Sequence, residues 1–218
     1  MTTPVLYIGN KNYSSWSLRP WLVFEHFGLP FEEKLIPLFD DKWDAAIAEV
    51  SPSHKVPCLV DGDLTIWETL AIIEYATDRH PQAAIWPDGF EARAVARSVA
   101  CEMHAGFADL RSAMPMNIRK SLPGRGHTPG ALNDVAQIQE RWNRCRGDYG
   151  SGGDFLFGAF SAADAMYAPV ASRLLTYGVD LDPVSSAYVD AIVALPAMQA
   201  WSEAARQEPW VIAEEELD

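Results

Sequence analysis

Three short stretches of this chain carry residues able to do chemistry. Ser14, Ser15 and Ser17 stand in the run Asn12-Tyr-Ser-Ser-Trp-Ser-Leu-Arg-Pro-Trp21, after an apolar run at 4–8 and at the mouth of a helical pattern over 17–27. The start of a helix leaves backbone N–H groups unpaired, and its dipole favours an anion. Hydroxyls placed there suit a negatively charged ligand atom. The second stretch is Val56-Pro57. Proline has no backbone donor and pushes the residue before it toward extended geometry. Val56 therefore keeps an N–H and a C=O to which a small extended peptide can pair, as a strand adds to a sheet edge. The third is Glu68-Thr69, an acid and a hydroxyl where another helix begins, a place for a ligand with both an amine and a carboxylate.

The elements that must position these groups fall into two blocks. Strand-like runs at 4–8, 31–38, 58–60 and 64–67 alternate with helical patterns at 17–27, 42–50 and 69–78, in the order β-α-β-α-β-β-α. Gly28 ends the first helix, and Asp61-Gly62-Asp63 turns a hairpin. This is an α/β unit over residues 1–80. Residues 81–89, with two prolines and a glycine, read as a linker. The remainder, 90–218, is helical in period, with one long helix expected over 91–114 and others over 131–149, 161–177, 184–193 and 196–207. Ser161-x-x-Asp164 has the spacing of a capping box, with Phe160 placed to staple onto the first turn. Alanine at Ser161 should cost on the order of 1 kcal/mol or more.

Composition narrows the function classes. The chain has 218 residues, 49% hydrophobic and 22% charged, ordinary for a globular protein able to bury a sizeable core. Its formal net charge of −13 argues against nucleic acid and against an anionic membrane surface as partners. Cys58, Cys101 and Cys145 are odd in number, widely spaced and without a CxxC. That pattern reads as a reduced, cytosolic chain with no disulfide framework and no metal site. The first residues run straight into a strand, so no leader is expected. No apolar segment approaches the roughly 20 residues that span a bilayer.

The Val56-Pro57 and Glu68-Thr69 pairs, on an α/β unit followed by helices, resemble the glutathione transferases. The resemblance implies a thioredoxin-like first domain, an all-helical second domain and a homodimer. It implies a cis bond before Pro57 and Val56 backbone groups that hold the cysteine of glutathione. It also implies Glu68 on the γ-glutamyl ammonium and Thr69 on its carboxylate. Thr69 stands where the family more often has serine. The run Ser14-Ser-Trp-Ser-Leu-Arg19 resembles the Ser-Ser-Cys-x-x-Arg signature of the zeta class, the maleylacetoacetate isomerases, with Trp16 in place of the class cysteine.

On that resemblance Ser14 is the hydroxyl that activates the sulfur, with Ser15 the second choice and Tyr13 a competitor. A free thiol titrates near 8.5, so a nucleophile at neutral pH needs its thiolate stabilised. Serine does this by donating a hydrogen bond. One of the three serines, most naturally Ser17, simply caps the helix. Arg19 is more often internal in the family than a ligand. The glycine carboxylate of glutathione falls to Lys55, then Lys42, then His54. Cys58 reads as a small buried hydrophobe. The absence of cysteine at 12–17 disfavours thiol–disulfide chemistry.

Phe107, Arg111, Met114 and Asn117 are the expected lining of a second-substrate pocket. Their spacing equally suits a core stripe. Arg111 and Arg119 leave room for an acidic substrate, and His104 reads as a helix histidine with no assigned role. The resulting expectation is a cytoplasmic glutathione transferase, acting in detoxification, that joins the glutathione thiolate to a small electrophile without metal. The alternatives are a glutathione-dependent cis–trans isomerase and a non-catalytic binding module of the same fold.

Overall fold

The computed structural model describes residues 2–217. Met1 and Asp218, the outer ends of the two expected domains, lie outside the described residues. Four short strands form one mixed sheet: β1 (Val5–Ile8), β2 (Glu32–Leu35), β3 (Cys58–Asp61) and β4 (Leu64–Trp67), in the order β2-β1-β3-β4. β1 and β2 are parallel, Val5 opposite Glu32, and are joined through α1 (Ser15–His26). β3 runs antiparallel to both β1 and β4, with Leu6 opposite Leu59 and Cys58 opposite Trp67. α2 (Trp43–Val50) links β2 to β3, and α3 (Thr69–Arg79) follows β4. The expected β-α-β-α-β-β-α order is the observed one.

The second block is helical. It comprises α4 (Phe90–Ala105), α5 (Ala108–Ala113), α6 (Pro129–Tyr149), α7 (Ala162–Thr176), α8 (Pro183–Ala194) and α9 (Pro196–Gln207). α7 is buried at every position except Leu175 and packs against α1 and α4. Alanines at 162, 163, 165, 168 and 171 keep its surface low enough for close approach. Its start is the capping box expected from the sequence: the Asp164 carboxylate accepts from Ser161 N–H at 2.8 Å and from Leu156 N–H at 3.0 Å.

The expectation of one helix over 91–114 is corrected. α4 stops at Ala105, Gly106 is extended, and Phe107 is left-handed (φ 55°) before α5 begins. Glycine weakens the helix there, and a Cβ at position 106 would lie 2.9 Å from the Glu102 carbonyl oxygen. Phe107 at the break is buried in the core, and α5 packs against α6.

Candidate active site

A proline inside α1 sets the geometry of the site. Pro20 cannot donate to the carbonyl of Trp16, one helical turn back. The hydroxyl of Thr69, at the first position of α3, donates to that carbonyl instead, at 3.0 Å. The bond ties the start of α3 to the start of α1. The hydroxyl proton points inward, and the backbone N–H of Thr69, at the helix start, has no intrahelical partner. Glu68 before it has φ 72° and an exposed side chain. A non-glycine residue in that region costs about 1–3 kcal/mol and is characteristic of functional sites.

Two chambers flank Trp16. The larger, about 550 Å³, has Ser14, Ser15 and Tyr13 at its base and His54, Lys55 and Val56 on one side. Arg111, Met116, Arg173 and Glu215 form the other side. The smaller, about 190 Å³, lies between Lys55, Val56, Pro57, Glu68, Thr69 and His104. The Val56–Pro57 bond is cis, and the N–H and C=O of Val56 make no hydrogen bond among the described residues. The three stretches singled out in the sequence thus converge on one pair of adjoining cavities.

Ser14 is the N-cap of α1. Its Oγ accepts from Ser17 N–H at 3.4 Å and donates to Ser17 Oγ at 2.7 Å, and Ser17 Oγ also accepts the N–H of Gly9 at 3.1 Å. The capping role expected of Ser17 therefore belongs to Ser14. Tyr13 also borders the larger chamber, but its hydroxyl donates to Glu216 at 2.6 Å and accepts from Arg119 at 2.9 Å. Lys55 borders both chambers and His54 the larger one. Lys42 caps α2 in solvent and borders neither.

Of the four residues expected around a second substrate, only Arg111 faces a chamber. Phe107 and Met114 pack in the core. Asn117 is buried and bonded to Asn12 and Glu216. Arg119 is also out of reach, since it donates to the carbonyls of Glu208 and Trp210, each at 2.6 Å. Phe107 and Met114 flank α5 as its caps and Asn117 lies in the loop beyond it, so the four do not share one helix face.

The electrostatics come from Arg111 and Arg19, both noted in the sequence, and from two residues that were not, Arg173 and Glu215. Arg173, on α7, is buried with its Nε donating to Met114 O at 2.8 Å. Burial pushes it down to about 10, as does Arg111 nearby, while Glu215 opposes the shift. Arg19 is buried with its guanidinium 4.1 Å from the Trp16 ring centroid, donating to Ser15 O and Met166 O. Burial lowers its pKa, with Arg173 and then Arg111 adding to the effect. Arg111 stacks on Trp16 at 5.6 Å. In a chain of net charge −13, the side of the larger chamber that holds Arg111 and Arg173 is thus cationic, with Glu215 the acid among them. Burial raises the Glu215 pKa and Arg173 holds it back. An arginine amid small and apolar residues in the core helix 162–176 was the one sequence signal for Arg173; nothing local marked Glu215.

Cys58 is fully buried, donates to Val50 O at 3.2 Å and has its thiol pushed up by burial. It is a core thiol. Among the described residues no group of three or more His, Cys, Asp or Glu could hold a metal ion, and no helix is long and apolar enough to cross a membrane.

Residues 13–79 match the glutathione S-transferase N-terminal domain and residues 105–204 the glutathione S-transferase C-terminal domain. The chain is 25% identical over 205 residues to maleylacetoacetate isomerase of Rattus norvegicus, covering 90% of each. It is 35% identical over 90 residues to glutathione S-transferase Z1 of Arabidopsis thaliana, covering 39% of this chain and 41% of that one. Among solved structures, a glutathione transferase homologue from Burkholderia with bound glutathione aligns with a TM-score of 0.71 at 24% identity, over 94% of this chain and 98% of that one. A glutathione S-transferase from the Antarctic clam Laternula elliptica aligns with a TM-score of 0.74 at 17% identity, over 95% of each. With both halves matched in order, and the cis Val56–Pro57 bond and the mouth of α1 facing one cavity, the chain belongs to the glutathione S-transferase family.

Proposed function

We propose that the protein binds glutathione extended along Val56, with its sulfur in the larger chamber beside Ser14, and transfers the thiolate to an electrophile held against α5 and α7. The supporting observation is that the unpaired backbone of Val56 and the N-cap hydroxyl of α1 border one cavity. Glu68 takes the γ-glutamyl ammonium, the free N–H at the start of α3 its carboxylate, and Lys55 the glycine carboxylate. Lys42 lies farther out and is the weaker candidate for that last contact.

The chemistry follows from the hydroxyl pair. With a thiolate present, Ser14 turns its proton from Ser17 to the sulfur, and Ser17 donates to Ser14 in turn. Two aligned hydroxyls strengthen each other. Each unit by which they lower the thiol pKa is worth about 1.4 kcal/mol. The thiolate then attacks the electrophilic carbon: the S–C bond forms, and the leaving group departs with its electron pair, or a proton adds where the acceptor is an alkene. Orientation in the shared cavity supplies much of the rate.

Arg111 and Arg173 favour an electrophile that carries a carboxylate. The same feature gives weight to the isomerase reading, in which addition of the thiolate to a cis alkene is followed by bond rotation and elimination of glutathione. Trp16, where the zeta signature has cysteine, weighs the balance toward transfer. The protein acts as a homodimer in the cytoplasm, in a detoxifying role, with a domain boundary at 81–89.

Calorimetric titration with glutathione tests the reading. Wild type should bind. Ser14→Ala should bind within a fewfold, with the bound thiol titrating at least one unit higher. An unchanged thiol titration in Ser14→Ala would remove Ser14 from the activating role. A parallel assay of cis–trans conversion on a maleyl-type diacid separates isomerase from transferase.

A further inference from the structure

A separate cavity of about 300 Å³ lies where α3 ends and α4 begins, and it shares no lining residue with the two chambers around Trp16. Two buried nitrogens on its lining have no partner. Trp86 is 3% exposed, and its Nε1 makes no hydrogen bond among the described residues. The Nε2 of His80, the residue that caps the end of α3, is buried and equally alone. An indole N–H can only donate, so what Trp86 lacks is an acceptor. Buried groups left in this state are costly and rare. The α4 side of the cavity is cationic. Arg93 is held by the carbonyls of Pro87 at 2.8 Å and Asp88 at 3.1 Å, which take its Nε and one Nη. Arg97 lays its guanidinium over the Trp86 ring, 5.6 Å from the centroid, with one Nη on Glu74. The acids on the lining, Asp78 and Asp88, match the two arginines in number, but both are solvated while the indole N–H is not. Ala84, also on the lining, is left-handed (φ 50°). Strain of that kind outside glycine gathers at ligand sites.

We infer that this cavity is a binding site for a compact oxyanion, a carboxylate or a phosphate group, distinct from the site for glutathione. An anion oxygen accepts from Trp86 Nε1–H and His80 Nε2–H, and hydrogen on Nε2 is the tautomer that the anion selects. Arg93 and Arg97 supply the opposite charge, and charge-assisted bonds are the stronger kind. A neutral acceptor would satisfy Trp86 but gain nothing from the arginines, and an ammonium group cannot accept the indole N–H. A ligand there touches α3, the 81–89 segment and α4 together, so its binding stabilises the joint between the two halves.

The test is titration of protein carrying isotopically labelled tryptophan with sodium phosphate, with sodium succinate and, at matched ionic strength, with sodium chloride, followed through the indole N–H resonances. Trp86→Phe identifies the Trp86 signal among the eight tryptophans. Phosphate, succinate or both should move that signal saturably, downfield in the proton dimension as the hydrogen bond forms, and chloride should not. A response to one salt alone tells which of the two groups the site takes. Calorimetry of the active salt with His80→Ala should show binding about tenfold or more weaker, the size of one hydrogen bond to a charged group. His80→Gln, which keeps a donor, should recover part of the loss. No movement with either salt beyond that with chloride overturns the site and leaves the cavity to solvent. Binding by His80→Ala equal to that of wild type overturns it as well.

Discussion

Ser14 Oγ and Ser17 Oγ lie 2.7 Å apart, and Ser17 holds the second of its contacts to the N–H of Gly9 at the end of β1. The hydroxyl proposed to meet the sulfur is thus anchored through a second serine to the sheet. Ser17→Ala should strand the buried Gly9 N–H and lower stability by about 1–3 kcal/mol. It should also raise the pKa of bound glutathione, by less than Ser14→Ala does, because the direct donor remains. Urea denaturation and thiolate absorbance against pH check the two parts. A bound thiol unaffected by Ser17→Ala would mean that the pair does not act as a relay.

Most of the fold was legible because periodicity changes sharply along the chain. Alternating short strands and helices give way near residue 80 to helical spacing alone, and the capping box at Ser161–Asp164 is a purely local signal. The one misread element, the helix over 91–114, failed at a glycine. Gly106 inside an apolar-periodic run lowers helix stability only modestly, and what settles its conformation is the packing of Phe107, a tertiary term.

The site was legible where a backbone property is written in one or two residues, as at Val56-Pro57 and at the N-terminus of α1. It was illegible where side chains meet across the fold. Arg173 is 62 residues beyond Arg111 in the sequence, and Glu215 a further 42, yet all three border one cavity. Thr69 shows the same limit in another form. Nothing in its neighbourhood showed that its hydroxyl would meet the Trp16 carbonyl, which Pro20 in a different helix leaves without an intrahelical donor.

Glu215 borders the larger chamber together with Arg173 and Arg111, and its charge partly offsets that of Arg173. Glu215→Gln should leave Arg111 and Arg173 unopposed. With a carboxylate-bearing electrophile KM should fall severalfold, and with a neutral one it should hardly change. Steady-state kinetics on a matched pair of electrophiles, acid and methyl ester, reads the difference. Equal shifts for both members of the pair would show that the arginines do not recognise charge.

Arg119 clamps the segment after α9. Its guanidinium donates to the carbonyls of Glu208 and Trp210 and to the hydroxyl of Tyr13, while the Glu208 carboxylate accepts the N–H groups of Lys11 and Asn12. Arg119→Ala should release this strap from the edge of the chamber, costing about 2 kcal/mol or more for the charged contacts. Limited proteolysis followed by mass spectrometry should find the segment beyond Gln207 cut faster than in wild type, with the remainder intact. An unchanged cleavage rate would assign the hold to Glu208 and Glu216 instead.

Asp164 links the start of α7 to pH. Burial raises its carboxyl to about 6, against an ordinary 3.8, and outweighs the donors Leu156, Ser161 and Tyr188 that favour the charged form. A group raised on folding binds its proton more tightly in the native state. Its stabilising share is complete below about pH 3.8 and is lost as pH rises through about 6. The whole swing is on the order of 3 kcal/mol, of which about 1 falls between pH 5 and 7. Asp164→Asn cannot titrate. It loses hydrogen bonds and should be less stable than wild type throughout, but the gap should narrow by about 1 kcal/mol from pH 5 to 7. Denaturant midpoints of the two proteins at both pH values measure that gap. A constant difference would place the carboxyl near its ordinary range, with the four hydrogen bonds, two of them from Ser161, offsetting its burial.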